Sequence, residues 1–483
     1  MALSIKSIGG VINEVPKVSN LRVVSSEQKS IEIEYSVEDI ELTICRHYLL
    51  LNGEKKEITK EVGYESESNI FRYTITGLTR NTTYTVQIVC DDGLDKGNSE
   101  SIQASTKFIQ LYGFRIDTTN SNPKTSVTYL DDAIGTETAT PTTYGGWKNK
   151  FPFDRIRPCG FKNGKVVKYI QENDFTKYID GTTVGSDVDV MIEFPKIYWS
   201  SEKNEQYIDV RISDEKIDSS YDCLAHKKRT TEFDYIYIAA YNASYDEQEK
   251  ARSISGKKPY HDSWGMANWR EACKKKGYNY TDYYYYAFKM LQILFVLMYK
   301  NLNSQEALGK GRVGQTSGTN TGGTDKKGMI YGSSINSQQM KFLGIEDLWG
   351  NYYNYIDGIY LEQYGYLYIC NDYSNFGDWS SYESTKSIPG SSYKGFVNNV
   401  YEDSKNLFIP KATSGSGNTY FCDNADIFSS RHAYGDGTEG STGSYWGSNI
   451  QEAGIFSINL NVMYLAPYQI DRYASRLVHF GTV

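Results

Sequence analysis

The chain has 483 residues, of which 39% are hydrophobic and 23% are charged, and its formal net charge is −8 at pH 7. This length is sufficient for two or three domains with at least one sizeable core. Because the acidic balance provides no positively charged surface of the kind that nucleic acid binding requires, we expect neither DNA nor RNA as a partner.

Tyrosine is the compositional outlier, with 43 copies against 19 of phenylalanine. Tyrosine side chains are large, rigid and amphipathic, which suits binding surfaces such as antibody loops. Codon bias in an AT-rich genome explains the excess equally well, so tyrosine content alone does not identify a binding protein.

The seven cysteines are widely spaced and include no Cys-x-x-Cys pair. This spacing argues against a disulfide framework and a zinc site, and we expect no metal and no other cofactor. The segment 1–6 lacks the pattern of a secretory signal, which favours synthesis in a reducing cytoplasm. Lys289 and Gln292 interrupt the apolar run 283–299, so we predict a buried helix there and no membrane insertion.

The N-terminal part of the chain divides into an arm and a series of strands. Residues 1–15 are a short, mildly apolar arm that could attach the chain to a partner or be a loose terminus. Residues 16–107 alternate polar and apolar side chains in several short strands. That pattern is typical of a β-sandwich.

The segment 77–88, Gly-Leu-Thr-Arg-Asn-Thr-Thr-Tyr-Thr-Val-Gln-Ile, resembles the signature of a fibronectin type III domain. The resemblance implies that Leu78 fills the core and that the Tyr84 hydroxyl bonds back to the backbone at the strand corner. The usual tryptophan of the second strand is missing, with Ile33 or Tyr35 in its place. Such modules act as spacers or adhesion units, and we expect a spacer here.

Residues 108–245 contain further strand-like pieces separated by turns and by a loop rich in Thr, Pro and Gly. Asp187 and Asp189 could suggest a calcium site. Because they lack an EF-hand loop and further clustered ligands, we expect both to be solvent-facing strand residues.

Helices are predicted only in the middle of the chain. The first covers 264–276 with Ser263 as its N-cap, and the second covers 282–299 with Thr281 as its N-cap. The segment 309–332 begins with a Gly-x-Gly-x-x-Gly match but does not run from a strand into a helix. We therefore interpret it as a long, flexible surface loop and not as a dinucleotide site.

The segment 342–358 is predicted to be a turn that leads into a buried strand starting at Leu348. Aromatic residues fill most positions of this strand, and Gly350 would let another backbone approach closely. Taken alone, the segment indicates a core strand without chemistry. Its Leu-Trp-Gly-Asn core, with Trp349, Gly350 and Asn351 as fold markers, resembles the core motif of the formylglycine-generating-enzyme-like branch of the C-type lectin fold, in the version found in phage tail and receptor-binding proteins.

Further motifs of this family follow the same order along the chain, which is more specific than any single tetrapeptide. They lie at 151–159, 192–199, 301–309 and 474–478, the last with Arg476 as a further fold marker. The resemblance covers roughly residues 108–483. It implies a mainly β fold with some α, in which the N-terminal β-sandwich precedes a large α+β C-type lectin-like module. In this module, 108–245 would be the β-rich N-terminal part and 246–483 the lectin-like domain with variable surface loops.

Aromatic residues in three Gly-, Ser- and Asn-rich loops, 371–379, 414–420 and 431–448, have no strand pattern that would bury them. Aromatic faces stack on the C–H groups of sugar rings, and Asp side chains accept hydrogen bonds from sugar hydroxyls. The predicted ligand contacts are Tyr373, Asp378, Trp379, Tyr434, Asp436, Tyr445 and Trp446. Some of these rings could instead turn inward and close the loops.

No motif for catalysis is present. The family's formylglycine-generating enzymes use a cysteine pair, but Cys370 and Cys422 lie far apart and outside any matching motif. The sugar-binding tripeptides of calcium-dependent C-type lectins are absent, as are His-Glu-x-x-His and Gly-x-Ser-x-Gly motifs; only His432 lies in a promising loop. We predict no catalytic residue and no enzyme, although a carboxylate pair for glycoside hydrolysis stays open because its separation in space decides the mechanism.

The resemblance implies a receptor-binding protein of a phage tail fibre or baseplate, or of a tailocin, that recognises a bacterial surface polysaccharide or protein without catalysis. It further implies other tail or baseplate proteins as partners, a homotrimer, and a place in the virion after synthesis in the bacterial host and release by lysis. Two other classes stay open: a surface-polysaccharide depolymerase, and a structural baseplate or virion decoration protein. A tip protein diversified by retroelements is a variant of the receptor binder.

Overall fold

The computed structural model describes residues 6–8, 11–38, 46–66, 69–259, 264–313, 315, 317–361, 366–370, 372–376, 378–387, 393–427, 438–442, 454–460 and 473–481. The chain divides into two compact units, Met1–Ile109 and Gln110–Val483. As predicted, the fold is mainly β with some α: antiparallel sheets dominate both units, and the described residues contain three α-helices.

The first unit consists of two antiparallel sheets that share one apolar core. One sheet has the strand order Lys17–Ser26, Ser30–Glu38, Ile70–Thr76, Gly63–Glu65. The other has the order Lys96–Asn98, Thr83–Asp91, Arg46–Leu51, Glu54–Glu57, with Ile102–Ser105 also paired to Thr83–Asp91. A separate hairpin joins Lys6–Ile8 and Val11–Asn13. Two sheets around one core make a β-sandwich.

Both contacts expected in the segment 77–88 are present. Leu78 is buried in the core of the sandwich, and the Tyr84 hydroxyl accepts a hydrogen bond from the Thr79 backbone N–H at 2.8 Å. Tyr35 is 1% exposed, and its hydroxyl lies 2.8 Å from His47 Nδ1. Ile33 is buried in the same core, so both residues considered for the position of the missing tryptophan lie in it.

The second unit contains three larger sheets. A four-stranded sheet has the order Val127–Asp131, Leu111–Asp117, Tyr207–Ser213, Tyr198–Asn204. A seven-stranded sheet has the order Asp174–Tyr178, Lys165–Gln171, Arg157–Lys162, Asp189–Pro195, Tyr235–Ala239, Leu477–Phe480, Tyr280–Asp282. An eight-stranded sheet has the order Glu383–Ser387, Tyr366–Ile369, Tyr353–Leu361, Thr438–Thr442, Ile458–Leu460, Asn424–Ile427, Tyr393–Phe396, with Tyr473–Ala474 paired to Tyr353–Leu361.

Shorter elements complete the second unit. Four two-stranded pairs are Lys227–Lys228 with Thr231–Glu232, Ser244–Tyr245 with Ala251–Arg252, Lys341–Phe342 with Ile345–Glu346, and Asn399–Val400 with Pro410–Ala412. The helices are α1 (Met266–Lys274), α2 (Tyr285–Tyr299) and α3 (Ser304–Ala307). Short 3-10 turns cover Gly145–Trp147, Leu224–His226, Tyr373–Asn375 and Trp379–Ser381.

Helix α2 is the centre of the second unit, because all fifteen of its residues are buried. It contacts the strands Leu111–Asp117 and Tyr353–Leu361 of two different sheets. Its two polar residues are accommodated inside: Lys289 Nζ donates to Gln292 Oε1 at 3.0 Å, and burial lowers the pKa of the Lys289 ammonium well below its usual value. Among the described residues, no helix has the length and apolar character needed to cross a membrane.

The predicted helix starts were wrong where a strand competes for the same residues. Thr281 does not cap a helix, since Tyr280–Asp282 pairs with Leu477–Phe480 at the edge of the seven-stranded sheet and α2 begins only at Tyr285. Helix α1 begins at Met266, and the predicted cap Ser263 lies outside the described residues. A pairing partner about 200 residues away is not visible in a local capping pattern.

The Leu-Trp-Gly-Asn motif forms an irregular turn and not the start of a strand, which begins at Tyr353. Gly350 and Asn351 have φ of 72° and 66°, in the left-handed region. The expected close backbone approach is confirmed, because a Cβ on Gly350 would lie 2.5 Å from the Arg312 nitrogen. Trp349 is fully buried and its Nε1 donates to the Gly309 carbonyl at 3.0 Å.

The segment 309–332 has no helix or strand among its described residues, as expected of a loop, but it lies only partly at the surface. Val313, Thr324 and Ile330 are all buried, and the turn at Gly309 packs on Trp349. Glycine and serine content indicated a surface loop, but here the small residues serve close packing.

Arg476 is fully buried and links distant segments of the second unit. Its guanidinium donates to the Ala239 carbonyl at 3.0 Å, to Asn242 Oδ1 at 2.5 Å and to the Glu346 carbonyl at 2.8 Å. Burial lowers the pKa of Arg476 to about 10. The planar, five-donor guanidinium is well suited to hold three backbone segments in one arrangement.

Candidate functional site

The predicted contact residues fall into three groups in the structure. Tyr373 is only 7% exposed: its hydroxyl donates to Asn279 Oδ1 at 2.6 Å and its ring stacks on Phe480, with centroids 4.4 Å apart. The expectation of an open ring is wrong for Tyr373, because this ring closes its loop against the core.

Asp378 is exposed, as expected, but its carboxylate is occupied locally. It accepts hydrogen bonds from Ser380 Oγ at 2.7 Å and Ser381 Oγ at 2.8 Å, which hold its pKa below the usual value. Trp379 begins the 3-10 turn Trp379–Ser381. The predicted contacts Tyr434, Asp436, Tyr445 and Trp446 lie outside the described residues, as does His432.

A polar groove of about 560 Å³ lies beside the loop 414–420. This polar groove is lined by Pro141, Asn303, Gln305, Glu306, Leu308, Gly309, Lys310, Ser334, Gly417, Asn418 and Cys422. The groove is open to solvent, and amide, hydroxyl and charged groups outnumber apolar side chains along it. Its volume lies within the range of known small-molecule sites.

Helix α3 places most of one wall of the polar groove. Asn303 is its N-cap and accepts a hydrogen bond from the Glu306 backbone N–H at 3.1 Å, which satisfies a free donor of the first turn. The Lys310 backbone N–H donates to the Ser333 carbonyl at 2.9 Å, so the chain after α3 is joined to the segment around Ser334. These contacts fix the wall and use one lining side chain, that of Asn303.

Asp423 connects α3 to the opposite wall of the polar groove through hydrogen bonds. It is fully buried next to the lining residue Cys422, and its Oδ2 accepts hydrogen bonds from the Phe456 backbone N–H at 2.9 Å and from Ser304 Oγ at 3.4 Å. Its Oδ1 has no partner among the described residues, and burial raises the pKa of Asp423 to about 8. The carboxyl group is therefore protonated at neutral pH, which avoids a buried charge.

Several lining groups are free to meet a ligand. Among the described residues, Lys310 Nζ, the side-chain amide of Asn418 and the Ser334 hydroxyl have no hydrogen-bond or ion-pair partner. Glu306 pairs with Lys124 on the exposed side of α3. Donors and acceptors from separate segments thus converge on one concave surface, as polyhydroxylated ligands require.

No protein-family model matches the sequence, and no curated protein matches it either.

The described lining residues of the polar groove do not include the catalytic groups of a hydrolase. Glu306 is the one carboxylate there, whereas glycoside hydrolysis uses two on opposite sides of the scissile bond. The thiol of Cys422 is buried, and its burial together with the nearby Asp423 raises its pKa to about 12. A thiol with such a pKa is a poor nucleophile.

One group of metal-ligand types occurs in the described part of the chain: Asp222, Cys223 and Glu232 have ligand atoms within 4.8 Å of one another. Protein cations already occupy it, since Lys227 Nζ donates to both Asp222 oxygens at 2.9 and 3.1 Å and Lys196 lies 3.6 Å from Glu232. Burial raises the pKa of the Cys223 thiol to about 12. These ion pairs satisfy the carboxylates within the protein.

Asp187 and Asp189 also pair with cations. Asp187 is exposed, as expected, and lies 2.6 Å from Lys162, but it belongs to a turn before the strand Asp189–Pro195 and not to a strand. That expectation was wrong for Asp189, which is 3% exposed and accepts from Arg252 at 2.9 Å and Lys276 at 2.6 Å. A buried carboxylate between two cations is a structural ion-pair centre and leaves no oxygen for calcium.

Asn303, Lys310 and Asn418 were not among the predicted contacts, although each lies in or next to a segment with a predicted motif or loop. Asn303 lies in the motif region 301–309, Lys310 follows that region, and Asn418 lies in the predicted loop 414–420. The N-cap position of Asn303 could have been predicted from the Ser-Gln-Glu sequence that follows it. The convergence of the three residues on one groove could not have been predicted, because it depends on the packing of distant segments.

Proposed function

We propose that this chain is a receptor-binding protein of a phage tail or tailocin, and that its polar groove holds part of a bacterial surface glycan without catalysis. The observation that carries the proposal is the convergence of Lys310, Ser334 and Asn418, each with a free polar side chain, on one open groove of about 560 Å³. Hydrogen-bonding groups on a concave, solvated surface match the hydroxyls of a saccharide.

The resemblance of the second unit to lectin-like phage receptor binders supports the same role. In that role the first unit is a fibronectin-like spacer, and other tail or baseplate proteins hold several copies, as a homotrimer, on the virion. Individually weak sites then act together, because the second binding event on one cell is effectively intramolecular. Tyr434, Asp436, Tyr445 and Trp446, from the predicted loop 431–448, are further contacts in this proposal.

The test compares the full chain with two groove variants, Lys310→Met and Asn418→Ala. We expect each to weaken binding to intact bacteria and to extracted wall polysaccharide by about threefold to tenfold, which corresponds to one lost hydrogen bond. Binding is measured by pull-down over a concentration series, and reducing-sugar release is assayed in the same tubes. Lys216→Met, which removes another exposed lysine, is the matched control and should bind like the wild type.

The outcomes separate the competing functions. Saturable binding without sugar release, weakened by the two groove variants alone, supports the proposal. Sugar release that is lost in Glu306→Gln would replace it with a polysaccharide depolymerase. A wild-type chain that binds no bacterium in a broad panel would indicate a structural baseplate or decoration protein instead.

A further inference from the structure

A second surface of the larger unit combines an open aromatic ring with a lysine. Tyr278 is 81% exposed, the highest value among the large hydrophobic residues that the structure describes. Lys228 Nζ lies 5.0 Å from the centre of the Tyr278 ring and donates to its hydroxyl at 3.4 Å. It also lies 4.2 Å from the centre of the buried Tyr373 ring. We call Tyr278, Lys228 and the neighbouring Arg229 the Tyr278 platform.

The Tyr278 platform is built on fixed elements. Lys228 ends the first strand of the hairpin Lys227–Lys228 and Thr231–Glu232, and Arg229 lies in its turn with φ of 53°. Arg229 forms an ion pair with the buried Asp372, which anchors the hairpin tip to the segment that carries Tyr373. A ligand would meet this surface without first ordering it.

Of the two cations of the platform, Lys228 is the one without a carboxylate partner among the described residues. Lys227 is paired with Asp222 and Arg229 with Asp372. In the described part of the chain, Lys228 Nζ has no carboxylate within ion-pair distance; its contacts there are the two tyrosines. Aromatic rings stabilise an ammonium without removing its charge, so Lys228 still attracts a negatively charged group.

We propose that the Tyr278 platform binds an acidic saccharide: Lys228 pairs with the negative group, and the exposed Tyr278 ring stacks on the C–H face of the adjoining sugar. This inference rests on the proposed role in glycan recognition, but it concerns residues that do not line the polar groove and it adds a requirement for negative charge. The charge comes from the carboxylate of a uronic acid or from a phosphodiester between sugars. Both place a single anion next to a sugar ring.

The experiment titrates the full chain with polygalacturonate, alginate and a phosphodiester-linked teichoic acid, and with the neutral polymers galactan and dextran. We expect the wild type to prefer at least one acidic polymer over the neutral ones, and to lose this preference as salt increases. Lys228→Met and Tyr278→Ala should each weaken acidic-polymer binding about threefold to tenfold. Lys228→Arg and Tyr278→Phe keep the charge and the ring, so they should stay close to the wild type.

Two controls make the result specific. Lys165→Met removes another exposed lysine, and Tyr64→Ala removes another exposed tyrosine, which lies in the first unit. Equal binding of acidic and neutral polymers by the wild type would overturn the inference, as would equal losses in the platform and control variants. A smaller oligomer in Tyr278→Ala, seen by sedimentation, would instead assign the platform to contacts between copies.

The inference and the proposed function can fail separately. If the chain binds bacteria through the polar groove, but carboxyl reduction and phosphodiester cleavage of the wall polysaccharide leave binding unchanged, the receptor role stands and the acidic saccharide is excluded. If acidic polymers bind at the Tyr278 platform while no bacterium is bound, the platform stands and the receptor role fails.

Discussion

Asp423 supports the polar groove although it does not line it. Its carboxyl group joins the start of α3 to the Phe456 backbone, and Gly454 is required beside it, since a Cβ there would lie 1.9 Å from Asp423 Oδ1. Because burial raises its pKa from 3.8 to about 8, the folded chain keeps a proton that the unfolded chain releases. The Asp423 contribution to the free energy of unfolding therefore falls as pH rises from about 4 to about 8.

Asp423→Asn removes this titration while it keeps a neutral side chain of similar shape. We expect the free energy of unfolding of the variant, relative to the wild type, to improve by about 3 kcal/mol between pH 5 and pH 7.5. Urea unfolding at the two pH values measures the difference.

Asp378→Asn is the matched control for this pH effect. The pKa of Asp378 is lowered by its serine hydrogen bonds, so its contribution is lost only as pH falls below the usual range and is constant from pH 5 to 7.5. A difference between Asp423→Asn and the wild type that does not change with pH would contradict the protonated state of Asp423.

Single residues were predictable where the reason was local. The close approach at Gly350 and the hydroxyl contact of Tyr84 depend on a few neighbouring residues, and both are present. Tyr373 was not predictable, because its burial depends on Asn279 and Phe480, which come from other parts of the chain. A loop composition indicates that a turn occurs, but not whether a ring in it faces solvent.

At the level of elements, a buried ion pair connects α1 to the strand Tyr353–Leu361. Arg270 Nε and Nη2 donate to the two oxygens of Asp357 at 2.7 and 2.9 Å, and the side chains are 9% and 1% exposed. Removing one partner leaves a buried charge, which costs far more than losing an exposed pair. The helix and the strand are thus joined by electrostatics as well as by apolar packing.

We expect Arg270→Met to lower the free energy of unfolding by about 3–5 kcal/mol. Lys168→Met, which breaks the exposed pair with Asp180, should cost about 1 kcal/mol or less. Thermal or urea unfolding measures both, and the double variant Arg270→Met with Asp357→Asn should recover part of the loss. Similar costs for the buried and the exposed pair would show that Asp357 is satisfied without Arg270.

The sequence predicted the type of several elements better than their number or their ends. The apolar run 283–299 correctly indicated a buried helix, whereas Thr281 belongs to a strand. The strand expected from Leu348 begins at Tyr353, since left-handed backbone at Gly350 and Asn351 interrupts it. Both errors have one cause: pairing or packing with a remote segment overrides the local pattern.

For the whole molecule, the division at Ile109 predicts that the two units unfold separately. The first unit has its own core, so a fragment 1–109 should fold alone, and a fragment 110–483 should bind bacteria and acidic polymers as the full chain does. Circular dichroism and urea titration of both fragments measure folding, and the pull-down measures binding. A fragment 110–483 that folds but binds no ligand of the full chain would assign recognition to the first unit.

The strand Leu477–Phe480 lies inside the seven-stranded sheet, between Tyr235–Ala239 and Tyr280–Asp282. Arg476, just before it, bonds to Asn242, 234 residues earlier in the chain. During translation, most of the second unit is therefore synthesised before the strand Leu477–Phe480, which its seven-stranded sheet needs. The first unit can already be folded by then. Until then the edges of Tyr235–Ala239 and Tyr280–Asp282 stay unpaired, and a nascent chain that stalls before residue 477 exposes both to aggregation.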